Sequence, residues 1–188
     1  MLLVLVKYII IPGMSNAALE NLLTRRSCRA YEDRQVREED LDSILEAGKY
    51  APTGMGRQTP VMVVVQDKKT YELVERLNAE VAGKPDGHPF YGAPTVIVVF
   101  GNPDTPLGNA DANLVIGNLL NGANAVGVDS CYIWRAKEAF ESPEGKALKA
   151  KWNIPDNYQG VGNVILGYGK PEGKRPAAPR KEDYVRRF

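Results

Sequence analysis

Histidine is almost missing from this chain, and its single copy, His88, leaves no material for a histidine-based metal site or a Ser/His/Asp triad. Cysteine is nearly as scarce. Two residues, Cys28 and Cys131, cannot build a disulfide framework, and no Cys/His cluster has zinc spacing. A charge excess is lacking too: 24 Lys+Arg against 23 Asp+Glu give a formal net charge of +1. That balance removes the basic surplus that nucleic acid or an anionic membrane surface would require. Residues Leu2 to Ile11 are apolar apart from Lys7 and Tyr8, but the run is too short to span a bilayer. It also lacks the leading positive charge and small-residue cleavage site of a secretory signal. We therefore expect residues 1–13 to be a non-core extension, with an edge strand as the alternative, and residues 14–188 to form a single cytoplasmic domain. The 188 residues, 44% of them hydrophobic, suffice for a sizeable core.

What the chain does have begins with Arg25-Arg26-Ser27-Cys28-Arg29. Guanidinium forks match phosphate oxygens two at a time, so three of them around a hydroxyl suit a phosphate monoester. A solvated basic turn after a helix is the competing reading. Ser15-Asn16 offers a cap for a helix over Ala17–Leu23, and Glu38-Glu39-Asp40 opens a second, with Leu41, Ile44, Leu45 and Gly48 at helical period and Pro52 ending it. The glycine-rich Thr53-Gly54-Met55-Gly56-Arg57-Gln58 is no dinucleotide fingerprint, because the third glycine is missing and a helix precedes it where that motif needs a strand. It reads as a loop that allows close approach of backbone amides. Val61–Gln66 and Thr95–Phe100 read as buried strands, Tyr71–Val81 as a helix, and Gly83–Tyr91 as an aromatic loop. Asn109 to Val126 is the longest helical pattern, rich in small residues. Gly127–Ile133 and Val161–Tyr168 read as strands and Pro143–Trp152 as a helix. The tail from Lys170 carries seven basic and three acidic residues, and its Gly169–Lys174 stretch lacks the glycine spacing and hydroxyl of a P-loop.

The arginine segment, Ala51–Pro60, Asp111, Asn118, Gly167-Tyr168 and Arg180, taken in order and spacing, resemble the nitroreductase family of FMN-dependent oxidoreductases over roughly Leu19 to Arg180. The resemblance implies an α+β fold, a mixed central sheet flanked by helices, in an intertwined homodimer with FMN at the interface. It implies FMN contacts from Arg25, Arg26, Ser27, Arg29, Pro52, Thr53, Gly54, Met55, Gln58, Ile133, Trp134, Gly167 and Arg180. A substrate pocket would take Phe90, Tyr91, Trp134 and Arg135, with His88 a further candidate for substrate contact but not for catalysis. By the same resemblance NAD(P)H is the co-substrate, a nitroaromatic or quinone the acceptor in a ping-pong scheme, and no side chain is catalytic because the flavin carries the chemistry. Asp111 and Asn118 are expected to be interface or backbone hydrogen bonders. The chain departs from the family in lacking an asparagine near Arg57 and in having Trp134 and Arg135 at a turn where relatives have small or acidic residues. Alternatives are a dehalogenase, flavin-fragmenting or azoline-oxidase relative, or an FMN-binding protein with little turnover.

Overall fold

The computed structural model describes residues 16–188, so the proposed extension 1–13 lies outside the described residues. Asn16 accepts from Ala18 N through its side chain at 2.8 Å and so caps α1 (Ala17–Thr24). α2 (Glu38–Lys49) begins with its three acids, which favour the positive end of the helix, and buries Leu41, Ile44 and Gly48. There follow β1 (Val61–Val65), α3 (Lys68–Val81), β2 (Thr95–Gly101), α4 (Gly108–Ala125), β3 (Asp129–Ile133), α5 (Ala136–Glu141), α6 (Pro143–Lys151) and β4 (Gln159–Gly167). The α5 helix has no counterpart in the sequence reading. With only six residues, it is too short to show a helical period.

The four strands stand in the order β1-β2-β4-β3. Every ladder between them is antiparallel, where a mixed sheet was expected. The one parallel element among the described residues is an isolated bridge between Ser27 and Ser130, on the β3 side of the sheet. Strand β2 is buried along its whole length, and its residues alternate between two hydrophobic clusters. Val96, Val98 and Phe100 meet residues of α3, α5 and α6, while Ile97 and Val99 meet α2 and α4. The molecule is therefore an α+β three-layer arrangement, with helices on both faces of an antiparallel sheet.

Small residues let α2 and α4 pack closely. A Cβ at Gly122 would come within 2.9 Å of the Ala47 Cβ, and one at Gly48 within 2.8 Å of a Leu119 methyl. Asn118 joins the two helices by donating to Ala47 O at 2.9 Å, the backbone role expected of it. α1 is attached differently. It buries no residue, leaves Leu22 54% and Leu23 68% exposed, and is held to α4 through Asn21 and Asn124, whose side chains bond at 2.7 Å.

Candidate functional site

The arginine segment leaves the end of α1 and is fastened to two other parts of the chain. Cys28 N donates to Ser130 O at 3.0 Å, Arg29 N to Gly173 O at 2.8 Å, and Glu32 N to Tyr168 O at 2.8 Å. Cys28 itself is wholly buried, and burial pushes its thiol pKa up, so it is a spacer and not an activated thiolate. The three guanidinium groups have different situations. Arg26 Nη1 turns back to Leu23 O (2.7 Å) and Arg25 O (2.6 Å), closing the end of α1. Arg29 is exposed. Arg25 Nη1 is shielded from solvent and has no hydrogen-bond partner among the described residues. The Oγ of Ser130, opposite Ser27, is likewise buried and unpartnered. Buried donors without acceptors are costly in a folded protein, so this guanidinium would gain by turning toward an anionic acceptor.

The glycine-rich loop is held by α4. Gly54 N lies 3.1 Å from each carboxylate oxygen of buried Asp111, and a Cβ at Gly54 would come within 2.6 Å of Leu107. Thr53 Oγ1 accepts from Gln58 N at 3.0 Å. Inside this brace Met55 (φ 55°) and Gln58 (φ 50°) adopt left-handed backbone, which costs a non-glycine residue about 1–2 kcal/mol. Pro52, Met55 and Gln58 are exposed and Thr53 half-buried, so the loop offers a preset surface.

At the end of β3 the Ile133 side chain is buried, and its carbonyl accepts from buried Asn163 at 3.1 Å. Trp134 is 58% exposed. Arg135 is left-handed at φ 82°, and its guanidinium lies over the Trp134 ring at 5.4 Å. Two expectations need correction. Phe90 is 0% exposed, its ring centroid 5.6 Å from that of Tyr71, so it is a core residue and cannot touch a substrate. Tyr91, next to it, is exposed. Gly167 is also buried. A Cβ there would come within 2.7 Å of Pro94 and 2.8 Å of the Tyr31 ring, which makes it a packing glycine. The segment around Phe90 is fixed by Glu75 of α3, which accepts from Phe90 N at 3.1 Å and meets His88 Nδ1 at 3.3 Å. Arg180 sits in an exposed tail, and no hydrogen bond or ion pair engages it among the described residues.

Comparison with known proteins decides the family. The description of the nitroreductase family matches residues 22–168. This chain belongs to the nitroreductase family. A relative from Archaeoglobus fulgidus, whose provisional name is NADH dehydrogenase/NAD(P)H nitroreductase, is 30% identical over 159 residues, which are 82% of this chain and 86% of that protein. Among solved structures, a nitroreductase with bound FMN from Bacteroides fragilis superposes with a TM-score of 0.84 at 30% identity, covering 93% of this chain and all (100%) of the other. Another FMN-bound nitroreductase, from Desulfitobacterium hafniense, gives 0.83 at 25% identity, covering 93% and 100% of the two chains. The nitroreductase fold is thereby shown for the sheet and helices described above.

Sequence reasoning missed Asp129 and Lys174. Asp129 accepts from Gly169 N at 3.0 Å and from Lys174 Nζ at 2.9 Å. Its partners are some forty residues away, and no local pattern announces such a contact.

Proposed function

We propose that this nitroreductase-family protein is an FMN-dependent oxidoreductase of the cytoplasm. In this reading it passes hydride equivalents from NAD(P)H to a nitroaromatic, quinone or similar acceptor in two alternating half-reactions. It works as a homodimer with FMN held tightly at the subunit interface. The observation that carries the reading is the shielded, unpartnered Arg25 Nη1 in a segment with three arginines. A phosphate monoester supplies the missing acceptor once the guanidinium turns outward to meet it, and the donor set fits one.

Arg25 and Arg29, with Ser27 and the tail residue Arg180, hold the phosphate. Arg26 contributes charge while its Nη1 closes α1. The brace around Thr53, Gly54, Met55 and Gln58 and the backbone at Ile133–Trp134 border the flavin ring. When bound, FMN supplies the two-electron chemistry that oxidises NAD(P)H and reduces the acceptor. The chain's own work is to hold, orient and shield, and protons reach an open site from water. Tyr91, Trp134 and Arg135 border the acceptor, Arg135 favouring an anionic one.

Two features support the dimer. Leu22, Leu23 and Leu114 stand exposed on α1 and α4, and Tyr184, Val185 and Phe188 are exposed on the tail. Burying each would contribute about 1.5–3 kcal/mol. No hydrogen bond or ion pair among the described residues joins loop 53–58 to the arginine segment, as suits a site completed across an interface. The test is an absorption spectrum of the purified protein followed by NAD(P)H oxidation with menadione as acceptor. A colourless protein that does not take up added FMN refutes the cofactor. A yellow one that oxidises NAD(P)H no faster than free FMN refutes the enzyme.

A further inference from the structure

α1 holds only the start of the arginine segment, through Arg25 N to Asn21 O at 3.2 Å and Arg26 Nη1 to Leu23 O at 2.7 Å. After Thr24 the chain is irregular, α1 buries no residue, and Arg29 is exposed. The segment is fixed by backbone contacts with the first residues of the tail. Arg29 N donates to Gly173 O at 2.8 Å, Lys170 N to Ala30 O at 3.0 Å, and Cys28 forms an antiparallel bridge with Lys174. That stretch, 169–174, follows β4 as a short turn and needs an anchor of its own. Asp129, the first residue of β3, supplies it with both carboxylate oxygens. One accepts from Gly169 N at 3.0 Å, the other from Lys174 Nζ at 2.9 Å.

The packing inside this clasp leaves no slack. A Cβ at Gly169 would come within 2.5 Å of the Asp129 carboxylate and 2.6 Å of Cys28 Sγ, and one at Gly173 within 2.6 Å of Ala30 O and of the same sulfur. The two glycines thus close around the buried Cys28 thiol. Cys28 N is in turn tied to Ser130 O, one residue beyond Asp129. The arginine segment, the tail's root and the start of β3 form one unit, and Asp129 is where the root is pinned to the sheet.

We infer that Asp129, with Lys174, is a positioning clasp that holds the Arg25–Arg29 segment and the root of the Arg180 tail in the geometry that receives a phosphate monoester. It acts through the arginines and touches no ligand itself. The exposed ion pair alone is worth little, since Lys174 is close to half exposed. The strength lies in the charge-assisted bond to Gly169 N, made by a carboxylate whose side chain is only 18% exposed.

The inference rests on the phosphate reading proposed above, and comparing FMN with riboflavin separates the two ideas, because riboflavin has the ring and ribityl chain without the phosphate. Flavin is removed from the full-length protein and both ligands are titrated by quenching of flavin fluorescence. The wild type is expected to prefer FMN strongly. Asp129→Ala should weaken FMN about tenfold or more, while riboflavin affinity stays within about twofold. Lys174→Met, at an exposed position that does not endanger folding, should show a smaller loss of the same phosphate-specific kind. Asp129→Asn, which retains one acceptor oxygen for Gly169 N, should restore part of the preference. Equal loss of both ligands in Asp129→Ala, or an unchanged FMN affinity, overturns the clasp. Should Asp129→Ala not fold, Asp129→Asn decides, because it keeps the shape and removes the charge of the bond to Gly169 N. An FMN/riboflavin ratio equal to that of the wild type there overturns the clasp. A wild type that does not distinguish FMN from riboflavin overturns the phosphate reading itself, and the clasp with it.

Discussion

Replacing Arg25 by methionine separates ligand binding from stability, because the two are expected to move in opposite directions. In the unliganded protein the guanidinium keeps one nitrogen shielded from water and unpartnered. An unsatisfied donor of that kind costs about 1–3 kcal/mol. Methionine keeps most of the length of the aliphatic stem and removes the donor, so flavin-free Arg25→Met should melt no lower than wild type and up to a few degrees higher. With FMN bound the guanidinium turns out of this position to an anionic acceptor, and losing such a bond costs about 1.5–3 kcal/mol, or roughly 10- to 100-fold in affinity. The assay is thermal unfolding of flavin-free protein beside an FMN titration, wild type against variant. Saturating FMN should raise the melting point of the wild type more than that of the variant. An Arg25→Met protein that binds FMN as tightly as wild type, or one that is destabilised equally with and without FMN, refutes the assignment of this nitrogen to the phosphate.

Asp111→Ala removes both acceptors of Gly54 N and should cost about 1–3 kcal/mol in thermal unfolding while loosening the 53–58 loop, read as weaker flavin binding; unchanged stability would show that the brace is dispensable. Truncation after Lys174 spares the clasp, and gel filtration with a flavin spectrum should show loss of FMN and of subunit association together; Arg180→Ala alone should lose affinity for FMN and remain a dimer. Asp40 is held below the usual carboxylate range first by its bond from Arg37 (2.8 Å) and then by Tyr168. A depressed carboxylate stabilises the fold above its unfolded pKa, near pH 4, and loses that contribution as pH falls through the folded value. Asp40→Asn should therefore be less stable at neutral pH and show a flatter acid transition, and parallel acid curves would count against this. Deleting residues 1–13 is expected to leave flavin content and NAD(P)H oxidation unchanged; a flavin-free or insoluble product would assign that segment to the fold.

Most elements were legible in the sequence because local physics decides them. The β-branched runs at Val61 and Thr95, the acids opening α2, and Asn16 at the start of α1 act within a few residues of themselves, and the structure forms each element there. The arginine segment and the glycine-rich loop stood out for the same reason, as did the ordered set of residues that carries the family resemblance. Other features depend on which distant residues come to lie side by side. Strand order and the antiparallel sense of the sheet are decided by edge-to-edge pairing between strands far apart in sequence, and no stretch of strand encodes its neighbour. Phe90 looked like a pocket aromatic because it lies in a breaker-rich loop, yet Glu75 and Tyr71 on α3 draw it into the core. Gly167 looked like part of a motif and is small because Tyr31 and Pro94 crowd it. Arg25 and Arg26 are adjacent and chemically identical, and only tertiary packing makes one a shielded donor and the other a helix closure. The reason is common to all of these: composition and spacing state which groups are available, whereas burial and hydrogen-bond partnership are set by residues far away in the chain.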